Sequence, residues 1–270
     1  MDRSKLLESR RLVLAAAKAG EPWHPSYKAN MVLFRRLVDA EALLETMTAE
    51  YLYNLSRRAP AYVDWAMYAG ELAKQPQLKA GIKAAADPVS REPWDAEAFD
   101  FQRAIIDAIT IISTIGAEAA YEKYGRPLTV SDIGDLVADA ARNHVATLVT
   151  GVTETSRDQI RRAIRDSLAR GETADLAMER IMRTINNPVR AEMIAQTESV
   201  NAYTMGTLAY AEESGAKNKI WEALTGACEV CAPMDGKKVR LHEKFKLNNS
   251  AEVDGPSSHP RCRCGIYVAY

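Results

Sequence analysis

The chain has 270 residues, with 35 Lys and Arg against 36 Asp and Glu and a net charge of −1, enough length for one large domain or two to three smaller ones. Its 47% hydrophobic and 26% charged residues are ordinary for a globular protein, and the near-neutral balance excludes a whole-protein basic footprint for nucleic acid while leaving room for a local patch. Sparse Gly and Pro favour helices, and neither a low-complexity tract nor an internal repeat stands out.

At the N-terminus, Arg10-Arg11 followed by L-V-L-A-A-A and A-K-A faintly imitates a secretory signal. The apolar core, Leu12 to Ala17, is shorter than a working signal core, and Asp2 and Glu8 spoil the basic segment before it. An amphipathic first helix is expected instead, on a protein made in the cytoplasm. From there to about Tyr124 the pattern is helical, broken at Glu21-Pro22-Trp23-His24-Pro25, at Lys74-Gln75-Pro76, and from Asp87-Pro88 through Pro93-Trp94. Met31, Phe34, Leu37, Val38, Leu43, Leu44 and Met47 recur at three- and four-residue spacing, the apolar stripe of a long helix. The β-branched run from Ile109 to Ile115 is compatible with a buried strand, and helix is the favoured reading. Its apolar stretch contains Asp107 and reads as too short to span a bilayer.

After Gly125-Arg126-Pro127, Thr129 or Ser131 can cap a helix running to about Val149. A second start is expected at Thr155, with Asp158 three residues on as a capping-box variant. In the helix that follows, Ile160, Ile164 and Leu168 form one face and Arg157, Arg161 and Arg165 another, ended by Gly171. A further helix should run from Thr173 to Asn186-Asn187-Pro188, and a long one from Pro188 to about Ser214, stopped at Gly215. Beyond it the grammar turns to strands: Lys219 to Leu224, then K-K-V-R after the Asp235-Gly236 turn, then the terminal G-I-Y-V-A-Y.

All four cysteines lie in this tail. Cys228-x-x-Cys231 places two thiolates on one knuckle, close enough to share a Zn²⁺ at about 2.3 Å. His259, Cys262 and Cys264, in H-P-R-C-R-C, offer the other half of a tetrahedral site. Five candidates compete for four places, and only one of Cys262 and Cys264 is expected to serve beside Cys228, Cys231 and His259; an all-cysteine site ranks next. A structural zinc suits a small tail with few large apolar groups, which needs a staple. Disulfides would require an oxidising compartment. A catalytic metal would keep an open position, and His242-Glu243 lacks the second histidine of H-E-x-x-H.

The ordered set I-A-Q-T-E-S-V-N-A-Y at 194–203, a strand bearing Trp221, C-E-V-C-A-P-M-D-G and H-P-R-C-R-C resembles the phage Mu F-like head-morphogenesis (minor head protein) family, over about Val149 to Tyr270. The resemblance implies a virion component of few copies, incorporated with the portal during procapsid assembly and associated with DNA packaging or ejection. It implies no catalysis. Some phage proteins join this domain to a maturation protease or a toxin, but residues 1–125 contain no cysteine, only His24 as histidine, and no G-x-S-x-G or H-E-x-x-H.

Smaller signals are weighed beside it. Thr197-Glu198 is read as a polar pair facing solvent or the zinc module, and Trp221 as packing under the zinc knuckle. His24 and His144 are taken as structural. The arginine face and the modest basic excess of the tail (Lys237, Lys238, Arg240, Lys244, Lys246, Arg261, Arg263) are candidate DNA contacts that read more simply as solvated surface.

The expected architecture is therefore mainly α with a small C-terminal α+β zinc-stapled module: residues 1–125 a multi-helix N-terminal domain, 126–215 a helical body, 216–270 the β-rich zinc-binding module. The expected function is that of a non-catalytic phage minor head protein with portal, capsid or scaffold proteins and phage DNA as partners. A metal-dependent hydrolase or protease of head maturation, and a cellular zinc-ribbon DNA-binding protein, are the alternatives.

Overall fold

The structure, a computed structural model, describes residues 3–74, 89–90, 92–128, 133–257 and 259–270. The expected break at Pro76 and Asp87-Pro88 and the expected cap at Thr129 or Ser131 lie outside those residues. In chain order the helices are α1 (Arg3–Ala19), α2 (Met31–Arg58), α3 (Trp65–Lys74), α4 (Trp94–Tyr124), α5 (Ile133–Ala169), α6 (Ala174–Ile185) and α7 (Pro188–Glu213). The strands are β1 (Asn218–Glu222), β2 (Lys238–Arg240), β3 (Phe245–Lys246), β4 (Glu252–Val253) and β5 (Gly265–Ala269), all in the tail. The fold is thus mainly α with a small C-terminal sheet region, as composition and patterning predict.

Two expectations about helices are resolved by spacing. The isoleucine run is helical: Ile105, Ile109 and Ile112 are fully buried at steps of four and three, whereas Ile111, which strand alternation would bury with Ile109, is 42% exposed. This helix, α4, is long and apolar enough by length and composition to cross a membrane, and half of its most apolar window is buried inside the protein. The second start predicted at Thr155 is not there, because α5 runs unbroken from Ile133 to Ala169. Val149, Val152 and Ile160 keep the buried stripe going, and Thr155 Oγ1 donates to the Gly151 carbonyl at 2.8 Å instead of capping. The other boundaries follow the sequence. Thr173 caps α6, the Asn187 side chain accepts from the Val189 amide as α7 begins, and Gly171 and Gly215 take positive φ where the helices end.

The chain forms two compact units. One comprises Met1–Thr46, Ile105–Val145 and Glu192–Tyr270; the other comprises Met47–Ala104 and Ala146–Ala191. In the second unit, Tyr51 stacks on Phe101 with centroids 4.4 Å apart, and Arg58 grips the buried Glu97 carboxylate through two 2.7 Å bonds. Tyr62 donates to the same carboxylate. The predicted face of Ile160, Ile164 and Leu168 is buried, while Arg162 and Arg165 are exposed and Arg161 pairs with Asp158.

The first unit contains the tail. Within it α4 and α7 cross at backbone contact: a Cβ on Gly116 would lie 2.1 Å from the Tyr203 carbonyl oxygen, and one on Gly206 would lie 1.8 Å from that of Ser113. Thr207 Oγ1 ties the crossing by donating to the Gly116 carbonyl at 3.2 Å. The tail sheet has the antiparallel order β2-β1-β5, with Trp221 opposite Ile266 and Lys219 opposite Val268, and β3 pairs with β4 as a separate hairpin. Trp221 is fully buried in a cluster with Cys231, Met234, Phe245, Cys262 and Cys264 and meets Phe245 edge-on at 5.3 Å. Trp221 therefore packs beneath the cysteines, as expected.

Candidate metal centre

Two matching knuckles carry the sulfur and nitrogen donors. In the first, the Cys231 and Ala232 amides both donate to the Cys228 carbonyl, at 3.1 and 2.8 Å, just after Gly226 turns the chain at φ 77°. In the second, the Cys262 amide donates to the His259 carbonyl at 3.3 Å, and Arg261 takes φ 63°. Each x-x segment so folds its two flanking side chains to one side. His259 Nε2 lies 3.2 Å from both Cys228 Sγ and Cys231 Sγ, and Cys231 Sγ lies 3.7 Å from Cys262 Sγ.

These distances fit a tetrahedral ion. Zinc–sulfur bonds of about 2.3 Å imply a sulfur–sulfur edge of about 3.8 Å. The donor atoms of Cys228, Cys231 and His259 all lie within 4.8 Å of one another, as do those of Cys231, Cys262 and Cys264, so Cys231 belongs to both sets. Bringing a sulfur of the second set fully into the first would close a four-donor site. The histidine is prepared for it: Nδ1 is 2.9 Å from the Pro260 carbonyl, which can only accept, so Nδ1 carries the proton and Nε2 keeps its lone pair toward the sulfurs. The Leu224 amide donates to Cys264 Sγ at 3.4 Å, a bond that favours anionic sulfur. Bonds from Cys231 and Cys264 pull the Cys262 thiol well below its ordinary range, outweighing burial. Cys264 is lowered by Cys231 but more than offset by its neighbour Cys262 and by burial, and is pushed up. Among the described residues no disulfide joins the four cysteines.

The sequence offers Cys262 and Cys264 as rivals for one ligand place. In the structure the sulfurs of both lie within 4.8 Å of Cys231 Sγ. The residue between them goes the other way. Arg263 is 6% exposed and makes a two-bond fork on Glu41, both at 2.7 Å, with a third 2.7 Å bond to Glu21. Its guanidinium lies 3.7 Å from the Trp23 ring centroid. Lys18 joins the cluster, 3.0 Å from Glu41 and 2.8 Å from Glu45. Burial lowers both cations' pKa values, but the carboxylates outweigh it and hold them above their ordinary range.

The Pro/Trp loop expected at residues 21–25 is thus a strap across the metal motif. His24 N donates to the Arg263 carbonyl at 3.3 Å, and Tyr27 Oη donates to the Cys264 carbonyl at 2.8 Å. Gly265 has no room for a side chain there, since a Cβ would sit 2.8 Å from Ser26 Oγ and 2.9 Å from His24 Nδ1. Arg263, counted by sequence among the tail's basic surface residues, is thus buried. The available signal was Glu41, four residues beyond Leu37 and three before Leu44, a charge in the apolar stripe of α2.

Thr197 and Glu198 occupy separate roles. Thr197 faces the second knuckle, with its carbonyl accepting from Ser257 Oγ at 2.9 Å and its hydroxyl accepting from the Arg261 amide at 3.2 Å. Glu198 meets His144 Nε2 at 2.7 Å and accepts from Asn201. His144 is therefore a paired histidine and stands apart from the cysteines.

Residues 158–267 match the family model described as Phage Mu protein F like protein. The matched stretch contains Thr197-Glu198, Trp221 and all five candidate ligands, and agrees with the resemblance drawn from the sequence. Neither a curated protein nor a solved structure matches the chain.

Proposed function

We propose that the protein is a phage minor head protein, a non-catalytic virion component that acts by binding during head assembly. The observation that supports this reading is the match of residues 158–267, the segment holding both knuckles, to the Mu F-like family. Portal protein is the proposed principal partner, with capsid or scaffold proteins and phage DNA as further ones. The test is to recover heads from infected cells and from a portal-deficient infection, and to probe both for this chain. Its presence in the first and loss from the second supports the assignment; absence from intact heads refutes it.

The proposed metal is a structural Zn²⁺ held by Cys228, Cys231, His259 and one of Cys262 and Cys264. Its chemistry there is to neutralise thiolate charge and join two knuckles that local hydrogen bonds alone hold weakly. The donors fit because the histidine tautomer, the Leu224 amide and the sulfur spacing all favour an ion. Metal analysis of protein purified under reducing conditions should give one zinc per chain and four thiols after chelation. Two disulfides and no metal would overturn the assignment.

A further inference from the structure

Between α2, α4, α7 and the start of β5, the first unit forms an open-sided cavity of 220 Å³ that the candidate metal centre does not use. Tyr27, Leu33, Ala120, Tyr203 and Ile266 form its apolar walls, and Asn30, Glu122 and Lys123 stand among its polar lining. Three polar groups there have unused bonding capacity. The Tyr203 ring packs against Tyr27 at 4.7 Å, yet its hydroxyl has no hydrogen-bond partner among the described residues. The Lys123 ammonium rests over the Tyr267 and Tyr124 rings, at 4.6 and 5.4 Å, with no carboxylate paired to it among the described residues. Glu122 accepts from Asn30 Nδ2 through one oxygen at 2.6 Å, leaving the other available.

We propose that this cavity is a socket for one apolar side chain of a partner polypeptide, with the adjoining peptide group bonded by Tyr203 and Lys123 as donors and Glu122 as acceptor. Its volume lies below the roughly 300 to 1,000 Å³ of small-molecule and cofactor sites. One cation and one anion make the lining neutral, which suits an amide that both gives and accepts a hydrogen bond. The neighbouring surface is aromatic: Tyr267 and Tyr270, which pack on Tyr124, are each 37% exposed. Exposed tyrosines around an anchor pocket are the composition of a protein-binding surface. The proposal deepens the binding role given above, but its test reads the socket itself, whereas presence in heads reads the assembly role.

The probes are N-acetyl-L-leucinamide and N-acetyl-L-phenylalaninamide, which mimic an internal apolar residue, titrated into the full chain with ring-labelled tyrosine followed by NMR. Saturable shifts of Tyr27 and Tyr203 with a millimolar Kd are expected. Tyr203→Phe should weaken binding about five-fold, the worth of one hydrogen bond. Ala119→Leu, placed on the cavity wall in a good helix-forming position, should abolish binding while the melting temperature stays within a few degrees. No saturable shift by roughly 50 mM overturns the proposal, as does undiminished binding to Ala119→Leu. Preference for the free acid N-acetyl-L-leucine would overturn it in favour of a small-anion site.

Discussion

Arg263→Met is the sharpest test of how the metal motif is anchored. The substitution keeps most of the side-chain volume and removes the guanidinium from between Glu41 and Glu21. Glu41 is fully buried and, among the described residues, would keep only Lys18, which it shares with Glu45; Glu21 would keep its bond from Gln196. With Arg263 present, two cations face three carboxylates; without it, one cation faces three. Removing one partner of a buried ion pair costs roughly 3–5 kcal/mol, because the other charge stays buried. At about 2–4 °C per kcal/mol for a chain of this size, the melting temperature should fall by roughly 6–20 °C.

Arg261 supplies an internal control two residues away. It is half exposed and meets Glu192 at 3.3 Å, so Arg261→Met should cost less than about 1 kcal/mol. The assay is thermal and urea unfolding of both variants with zinc present. Adding Glu41→Gln to Arg263→Met should restore part of the loss, since the two residues are in direct contact. Equal melting temperatures for the two arginine variants would refute the argument that Arg263 anchors the motif. A loss left unchanged by Glu41→Gln would refute the pairing as its cause.

Other expectations follow from single features. Cys231 belongs to both donor sets, so Cys231→Ser should abolish zinc binding and leave residues 216–270 open to protease while the helical circular-dichroism signal largely persists; unchanged protease resistance would count against a structural site. Measured zinc content of Cys262→Ser and Cys264→Ser should single out the fourth ligand, with one variant losing metal and the other retaining it. Gly206→Ala should destabilise by about 1–3 kcal/mol or more, because its Cβ meets the Ser113 backbone, while Gly151→Ala, with open space around it, should be neutral or stabilising by up to about 1 kcal/mol. Burial would raise the Glu97 pKa, but bonds from Arg58, Tyr62 and Tyr51 outweigh it and hold it below the ordinary range. Its stabilising contribution is therefore present above the unfolded value of about 4.3 and lost as pH falls through the lower folded value, so acid-side stability should fall less steeply in Glu97→Gln.

Much of this fold is written in local periodicity. The stripe from Phe34 to Leu44, the Asn187-Pro188 start of α7 and the glycine stops at 171 and 215 are one-dimensional signals that neighbouring residues decide. The continuity of α5 was not, because Thr155 has two hydrogen-bonding choices and the turn before it settles which it takes. The positions where one compact unit gives way to the other, near residues 46, 104, 145 and 191, lie inside helices. No turn residue marks such a place, since a helix has no local reason to register which core it enters. The candidate metal donors are legible because C-x-x-C and H-x-x-C are short-range geometries. The cavity is not, for its walls come from residues as distant as Leu33 and Ile266.

The metal motif shows why its two halves cannot be understood separately. In Cys262-Arg263-Cys264 both sulfurs lie toward Cys231 and the guanidinium between them toward Glu41. Any shift that moved the sulfurs off a shared ion would also have to turn Arg263 among the carboxylates of Glu41 and Glu21. Conversely, His24 and Tyr27 of the strap bond the backbone carbonyls of Arg263 and Cys264, and the Trp23 ring packs on the Arg263 guanidinium. Metal affinity and the docking of residues 18–45 should therefore be thermodynamically reciprocal: whatever strengthens one strengthens the other by the same factor. A structural ion bound in this position would therefore do more than staple a small sheet: it would be coupled to the docking of α1 and the first half of α2, more than two hundred residues away in sequence, through one buried arginine.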